Sequence, residues 1–547
     1  ALLPIPSILS PPVSTCPDEI TSFATQSGMS GYIWTVSPDG SFTGGGTDQI
    51  DITWTTTGLK EVTVNYQMGP GCTGAAPGST SVMVNPRPVV INSITTDSIC
   101  SAGTTGYILQ ADLAGSTFAW RAFSSSPSLS GFTSGSGENI IQSIVNSGYS
   151  IETATYRVAA TANNCSGDSA DFIVTVFPVA DVLFDPTSQE ICSGQTTGLV
   201  LQSNVAGATF SWTASASSPD ISGYSDGSGD WIQQMLTNSV YMPGWATYQV
   251  APTANGCFGT SNSAIVTVNP LPVVTFTACF DTITNVSAKP IWLSGGTPAN
   301  GIYTGNSING RLFYPGIAGA GTHEITYIYF NDFGCTDSSS LTIQVADPVS
   351  HICGDNLTDI RDDQSYPTVL IGTQCWMASN LNFGNVVGSS QMQRNNCLTE
   401  KYCLNDNPVN CSTYGGMYQW SEMMRYRSAE GEQGLCPPGW HVPGETEWNT
   451  LISIYISNGA GNALKYSGFS GFNALLEGIR FHNSVWKFQA VSSVLNSSLF
   501  WSSTLHGPEK AWAHGINDVP TNREYTPSVS FYPALRSNAF LVRCLKD

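Results

Sequence analysis

Apolar and polar residues alternate along most of the chain up to about residue 346. Runs such as Phe172-Ile173-Val174-Thr175-Val176 and Ala264-Ile265-Val266-Thr267-Val268 place an apolar side chain at every second position, the period of a half-buried β-strand. Shorter segments, Tyr156-Arg157-Val158 and Tyr248-Gln249-Val250, have the same period. After Asp347-Pro348 the pattern changes. From Gly444 to Ile456, Trp448, Leu451, Ile452 and Tyr455 fall at i, i+3, i+4 and i+7, which predicts an amphipathic helix. Pro443 and Gly444 stand where it should begin, and Glu445 and Glu447 occupy a first turn where the helix dipole favours negative charge. The pattern predicts an all-β array followed by an α+β domain.

The array repeats itself. Cys100, Thr105, Trp120, Tyr156, Cys165 and Pro178 recur 92 residues later as Cys192, Thr197, Trp212, Tyr248, Cys257 and Pro270. Two looser copies flank the pair, Cys16 to Cys72 with Trp34 and Cys279 to Cys335 with Trp292. The order of strands, cysteines and tryptophan suits a β-sandwich in which a disulfide crosses between sheets over a buried indole. The expected bridges are therefore Cys16–Cys72, Cys100–Cys165, Cys192–Cys257 and Cys279–Cys335. Domains are expected at 14–87, 88–178, 179–270 and 271–347, after a linker or strand at 1–13 and before a final domain at 348–547. Pro86-Arg87-Pro88, Pro178-Val179-Ala180 and Pro270-Leu271-Pro272 mark the joints, where proline fixes φ and predicts short, stiff connections and an extended rod. Pro4-Ile5-Pro6 opens the chain with the same joint pattern, which predicts a processed or truncated start.

Composition narrows the setting. Charged residues make up only 11% of the chain, and 39 acidic against 19 basic residues give a net charge of −20, which argues against nucleic acid or an anionic membrane as partner. Apolar runs are strand-sized, so no membrane insertion is expected. Fifteen cysteines point to an oxidising, extracellular or cell-surface location.

Through the Cys, the Trp, the Tyr-x-Val strand and the endings Val84-Asn85-Pro86 and Val268-Asn269-Pro270, residues 14 to 346 resemble the PKD-like and immunoglobulin-like repeats of Bacteroidota surface proteins. That resemblance implies candidate O-glycosylation at Ser98, Ser169 and Thr282, within the triplets Asp97-Ser98-Ile99, Asp168-Ser169-Ala170 and Asp281-Thr282-Ile283. The C-terminal domain resembles the Fibrobacter succinogenes major paralogous domain (FISUMP). The resemblance is carried by Ile371-Gly372-Thr373-Gln374-Cys375-Trp376-Met377-Ala378-Ser379-Asn380-Leu381, Tyr414-Gly415-Gly416-Met417-Tyr418-Gln419-Trp420, Cys436-Pro437-Pro438-Gly439-Trp440-His441-Val442-Pro443, Trp501-Ser502-Ser503-Thr504 and Val542-Arg543-Cys544. Asp362-Asp363 replaces the family's usual Gly-Asn turn, a place where Asp is also tolerated. The resemblance implies a C-type lectin-like fold in which the first and last strands pair. Here Cys403–Cys411, Cys436–Cys544 and Cys353–Cys375 are the expected bridges, leaving Cys397 over, read as a buried thiol with an intermolecular bridge as the alternative.

The C-type lectin-like superfamily includes enzymes, but the cysteines here are better explained as disulfides than as a redox-active or metal-binding pair, so no catalysis is expected. His441 reads as packing inside its motif. Asp355, Asp359, Asp362, Asp363 and the run Asn405-Asp406-Asn407 are oxygen-rich, yet lack an ordered calcium pattern. No metal or cofactor is expected, with structural calcium left possible. A ligand surface is expected between His482 and Asn538, with Trp486 and Tyr525 as stacking platforms and Asn517, Asp518, Asn522 and Arg523 as polar contacts. Trp501 and Trp512 are expected in the core. The sequence thus predicts an exported, non-enzymatic adhesin whose stalk presents a lectin-like head to a glycan or surface polymer. The alternative is a filament subunit that joins identical copies through the apolar segment Leu2 to Leu9.

Overall fold

The computed structural model describes residues 5–348, 350–476, 480–481, 487–488, 496–521 and 524–547. They form two compact units, Ala1–Pro270 and Leu271–Asp547. The fold is mostly β-sheet.

The first unit holds three sandwiches. In the second sandwich the long strand Glu152–Ala162 lies between Thr117–Ser124 and Ala170–Phe177, and Thr96–Cys100 closes the edge by running parallel to Ala170–Phe177. Its alternation is that of the sequence. Ala154, Tyr156, Val158 and Ala160 are buried, while Arg157 on the opposite face pairs with Asp171 in solvent. The third sandwich repeats this with Gly244–Ala254 at its centre. In all three sandwiches the buried indole donates Nε1–H to a carbonyl thirteen residues on: Trp34 to Thr47, Trp120 to Thr133 and Trp212 to Ser225.

The disulfides overturn the pairing expected for this array. Cys16 is bonded to Cys165, in the next sandwich, and Cys100 to Cys257. Cys279 is bonded to Cys397, so Cys397 is not a thiol, and Cys72 is the free cysteine. Cys16–Cys72, Cys100–Cys165, Cys192–Cys257 and Cys279–Cys335 are therefore excluded. The reason is where the two cysteines sit along a strand. Cys100 pairs in register with Phe177, at the outgoing end of Ala170–Phe177, whereas Cys165 sits in the hairpin that feeds its incoming end. Seven residues of extended chain separate the ends by roughly 23 Å, and a disulfide needs Cα atoms within about 7 Å. Cys16 and Cys100 instead meet the hairpin cysteines of the sandwiches that follow them.

In the second unit, the fourth sandwich pairs Gly321–Phe330 with Thr336–Ala346 and Ile302–Gly305. Its core rests on Tyr303, Tyr327, Phe313 and Leu293. Trp292 is not a core indole here but 40% exposed.

The C-terminal domain places its last strand, Leu545–Lys546, between Gln374–Met377 and Trp440–His441, so the end of the chain is paired near the domain's start. The predicted helix spans Glu445–Ile454, buries Trp448 and Leu451, and begins with Glu447 accepting from the Gly444 N–H at 2.8 Å. Cys353–Cys375, Cys403–Cys411 and Cys436–Cys544 are bonded as expected. Asp363 has φ 60°, the turn geometry that Asp tolerates. The aromatic motifs hold one another: Trp420 Nε1 donates to Ser502 O and Trp501 Nε1 to Tyr418 O. Arg543 is buried against Phe472 and donates to Asn380 Oδ1 and to the carbonyls of Met377, Phe472 and Asn473.

Candidate functional site

The fourth sandwich and the C-terminal domain share a cleft of ≈ 190 Å³, bolted along one side by Cys279–Cys397. Trp292 comes from the sandwich, and Arg394, Asn396, Tyr426 and Arg427 from the other domain. The Arg427 guanidinium lies 4.5 Å over the Trp292 ring and pairs with Glu432. Three non-glycine residues that line this cleft sit in the left-handed region: Cys397 at φ 66°, Arg425 at 49° and Tyr426 at 59°. Each costs of order 1–3 kcal/mol, strain that clusters at binding and switch sites. A second cleft of ≈ 570 Å³ continues from Glu422 and Tyr426 past Gln393, Gln419, Glu509 and Arg536.

The strained turn is held from below. Tyr426 OH donates to Glu422 at 2.7 Å, and the other Glu422 oxygen accepts the Glu400 N–H at 2.9 Å. Burial pushes the Glu422 carboxyl up to about 7. Glu400 in turn accepts from the Arg394 N–H and from Asn396, which fixes the loop carrying Cys397. On the sandwich side Asp281 accepts from Arg361 at 2.9 Å and from Arg425 at 2.6 Å. Burial alone would raise Asp281, but the guanidiniums of Arg425 and Arg361 outweigh it and hold the carboxyl below its ordinary range. Arg361 also forks onto the fully buried Asp359 and stacks 4.0 Å over Phe383.

Of the residues expected to bind ligand, Trp486, Asn522 and Arg523 lie outside the described residues, as do the side chains of Asp518 and Tyr525. Asn517 is half-buried and donates to Ser530 at 2.8 Å. Trp501 is core, as expected. Trp512 is not: it is half-buried and packs against the exposed His506 and Phe531. Among the acids weighed for calcium, Asp359 is taken by Arg361, and Asp406 accepts from the Ser389 N–H and hydroxyl. Ser98, Ser169 and Thr282 are exposed; beside them Asp97 and Asp168 are exposed too, whereas Asp281 is held by its two arginines. His441 is more than packing. It bridges Asp547 at 2.6 Å and Glu447 at 2.9 Å. Sequence reasoning missed the cleft because Trp292 was matched to the core indoles. The signal was Arg425-Tyr426-Arg427, two cations around an aromatic in a chain with few charges.

The motifs that build this domain now stand in its core, with the last strand paired to Gln374–Met377 and Trp440–His441. Residues 369–546 match the Fibrobacter succinogenes major domain. One wall of the cleft is thus major-domain surface, and the other belongs to the fourth sandwich. Residues 97–180 and 189–272, the second and third sandwiches, match the PKD-like domain. No curated protein matches the chain. Among solved structures, the insect immune protein hemolin is similar at 10% identity and TM-score 0.20, covering 63% of this chain and 100% of that one. Drosophila N-cadherin EC1-4 is similar at 11% identity and TM-score 0.17, covering 60% and 94%. The N-terminal eight Ig domains of Down Syndrome Cell Adhesion Molecule show 12% identity and TM-score 0.22, covering 63% and 50%. Likeness at these scores carries no argument about function. The disulfides and the PKD-like repeats suggest an extracellular protein.

Proposed function

We propose that the protein is an exported, non-enzymatic adhesin in which disulfide-bolted sandwiches carry a C-type lectin-like head, and that the cleft beside Trp292 takes a glycan or similar polar polymer. The observation that carries this reading is the cleft itself: an exposed indole, a tyrosine on a left-handed turn and planar polar groups, held in place by a buried ion network and a disulfide. Saccharides are recognised by an aromatic face with a few fixed polar partners, often between domains. Glu422 acts here as a positioning residue, since both its oxygens are occupied. A filament joined through the N-terminal segment is less favoured, because Ile8 and Leu9 already pair with Thr25 and Ala24 of their own sandwich.

The test is the full chain on a glycan array and on polysaccharide-coated surfaces. Trp292→Ala with Tyr426→Ala should weaken binding at least tenfold, about 1.4 kcal/mol. Trp486→Ala with Tyr525→Ala tests the other surface. Binding lost only in the second pair would move the site there, and no binding by the wild-type chain would end the adhesin reading.

A further inference from the structure

Cys72 occupies the position that, in the next two sandwiches, receives a cysteine from the sandwich before. Two residues after each hairpin cysteine stands a glycine whose N–H returns to the central strand: Gly74 to Tyr66 O, Gly167 to Ala160 O and Gly259 to Pro252 O. Each of these glycines lies flat against the joint that precedes its sandwich. A Cβ on Gly167 would stand 1.7 Å from Pro88 O, one on Gly259 2.2 Å from Ala180 O, and one on Gly74 2.6 Å from the Pro6 ring. Pro6, Pro88 and Ala180 are the third residues of the joint triplets. So the first sandwich carries the complete receiving end: hairpin cysteine, glycine and docked joint.

At the two occupied positions the preceding sandwich supplies its opening cysteine, Cys16 to Cys165 and Cys100 to Cys257. At the first of them the outgoing end of the preceding sandwich also touches the hairpin, with Asn85 donating to Asn163 O and Arg87 to Ser166 O. Cys72 is half-exposed and free, and every other cysteine of the chain is already bonded. This chain therefore holds no opening cysteine for it.

We propose that Cys72 is the receiving half of the same bolt, and that its partner is another β-sandwich of this PKD-like kind, docked on Ile5–Pro6 and presenting an unpaired opening cysteine. That sandwich stands upstream on the same polypeptide or on a separate one; the chemistry is shared. Bond formation oxidises two thiols to one disulfide, with two electrons and two protons passing to the disulfide of a protein thiol oxidase, which leaves as a dithiol.

The experiment uses native exported protein, alkylated before reduction and digested without reduction. The expected result is a Cys72 peptide resistant to alkylation and cross-linked to a peptide carrying the opening cysteine of another sandwich. A mass drop on reducing gels then assigns the partner to a separate polypeptide, and an unchanged mass places it upstream on the same one. Cys72→Ser should abolish the cross-linked peptide and leave Cys16–Cys165 intact. Recovery of Cys72 as an alkylated thiol, as a Cys72–Cys72 dimer or capped by a small thiol would overturn the proposal. None of these outcomes bears on the glycan cleft, which lies in the other unit.

Discussion

Arg361 is buried with a carboxylate on either side, Asp359 within its own turn and Asp281 on the fourth sandwich. Replacing it with methionine keeps much of the volume but strands two acids, and breaking such a pair costs about 3–5 kcal/mol. Urea unfolding of R361M should show that loss in the unit Leu271–Asp547 and leave the transition of the first unit unchanged. His441 sets a pH dependence. Burial pulls its pKa down, but the carboxylates of Asp547 and Glu447 prevail and hold it at about 9. A group raised in the fold contributes fully below its unfolded pKa, so the His441 contribution is complete below 6.5 and disappears as pH rises to about 9. Glu422, raised to about 7, likewise loses its contribution between 4.5 and 7. Glu447 and Asp547, which burial would raise but the His441 contacts depress, lose theirs only in acid. Scanning calorimetry should therefore show the Tm of this unit falling from pH 6 to 9, and His441→Gln should flatten the upper part of that fall. None of this was legible in sequence, because the partners of Arg361 and His441 lie as far as 80 and 106 residues away.

At the scale of strands and helices the sequence was more informative. Alternation placed Tyr156, Val158, Tyr248 and Val250 correctly inward, because a strand's side chains report a local period. The helix from Glu445 was legible for the same reason. What the repeat did not reveal was which end of the sandwich each cysteine occupies, since spacing along a chain is silent about direction in space. Nor did it reveal that Gly135 and Gly227 press on the indoles of Trp120 and Trp212, where a Cβ would stand 2.8 and 2.6 Å from ring carbon Cζ2. Gly227→Ala should push Trp212 off its bond to Ser225 O, costing about 1–3 kcal/mol as overpacking. Denaturant melts read the cost, and tryptophan fluorescence the displaced ring.

For the whole molecule, the bolts between successive sandwiches change what a disulfide does. Cys16–Cys165 spans 149 residues, for which loop entropy gives about 5 kcal/mol. It closes no sandwich internally. Cys165→Ser should leave the first and second sandwiches folded but split their joint unfolding into two transitions, visible by calorimetry. The same geometry imposes an order of events during synthesis. Cys16 meets Cys72 long before Cys165 exists, and in an unfolded chain those two thiols are near neighbours. Only the finished first sandwich keeps them at opposite ends of Gly78–Val84, roughly 20 Å apart. Wherever a wrong bond is not reshuffled by thiol–disulfide exchange, the first sandwich must therefore fold faster than its cysteines are oxidised, and its folding rate, more than its final stability, decides whether the correct bond is made.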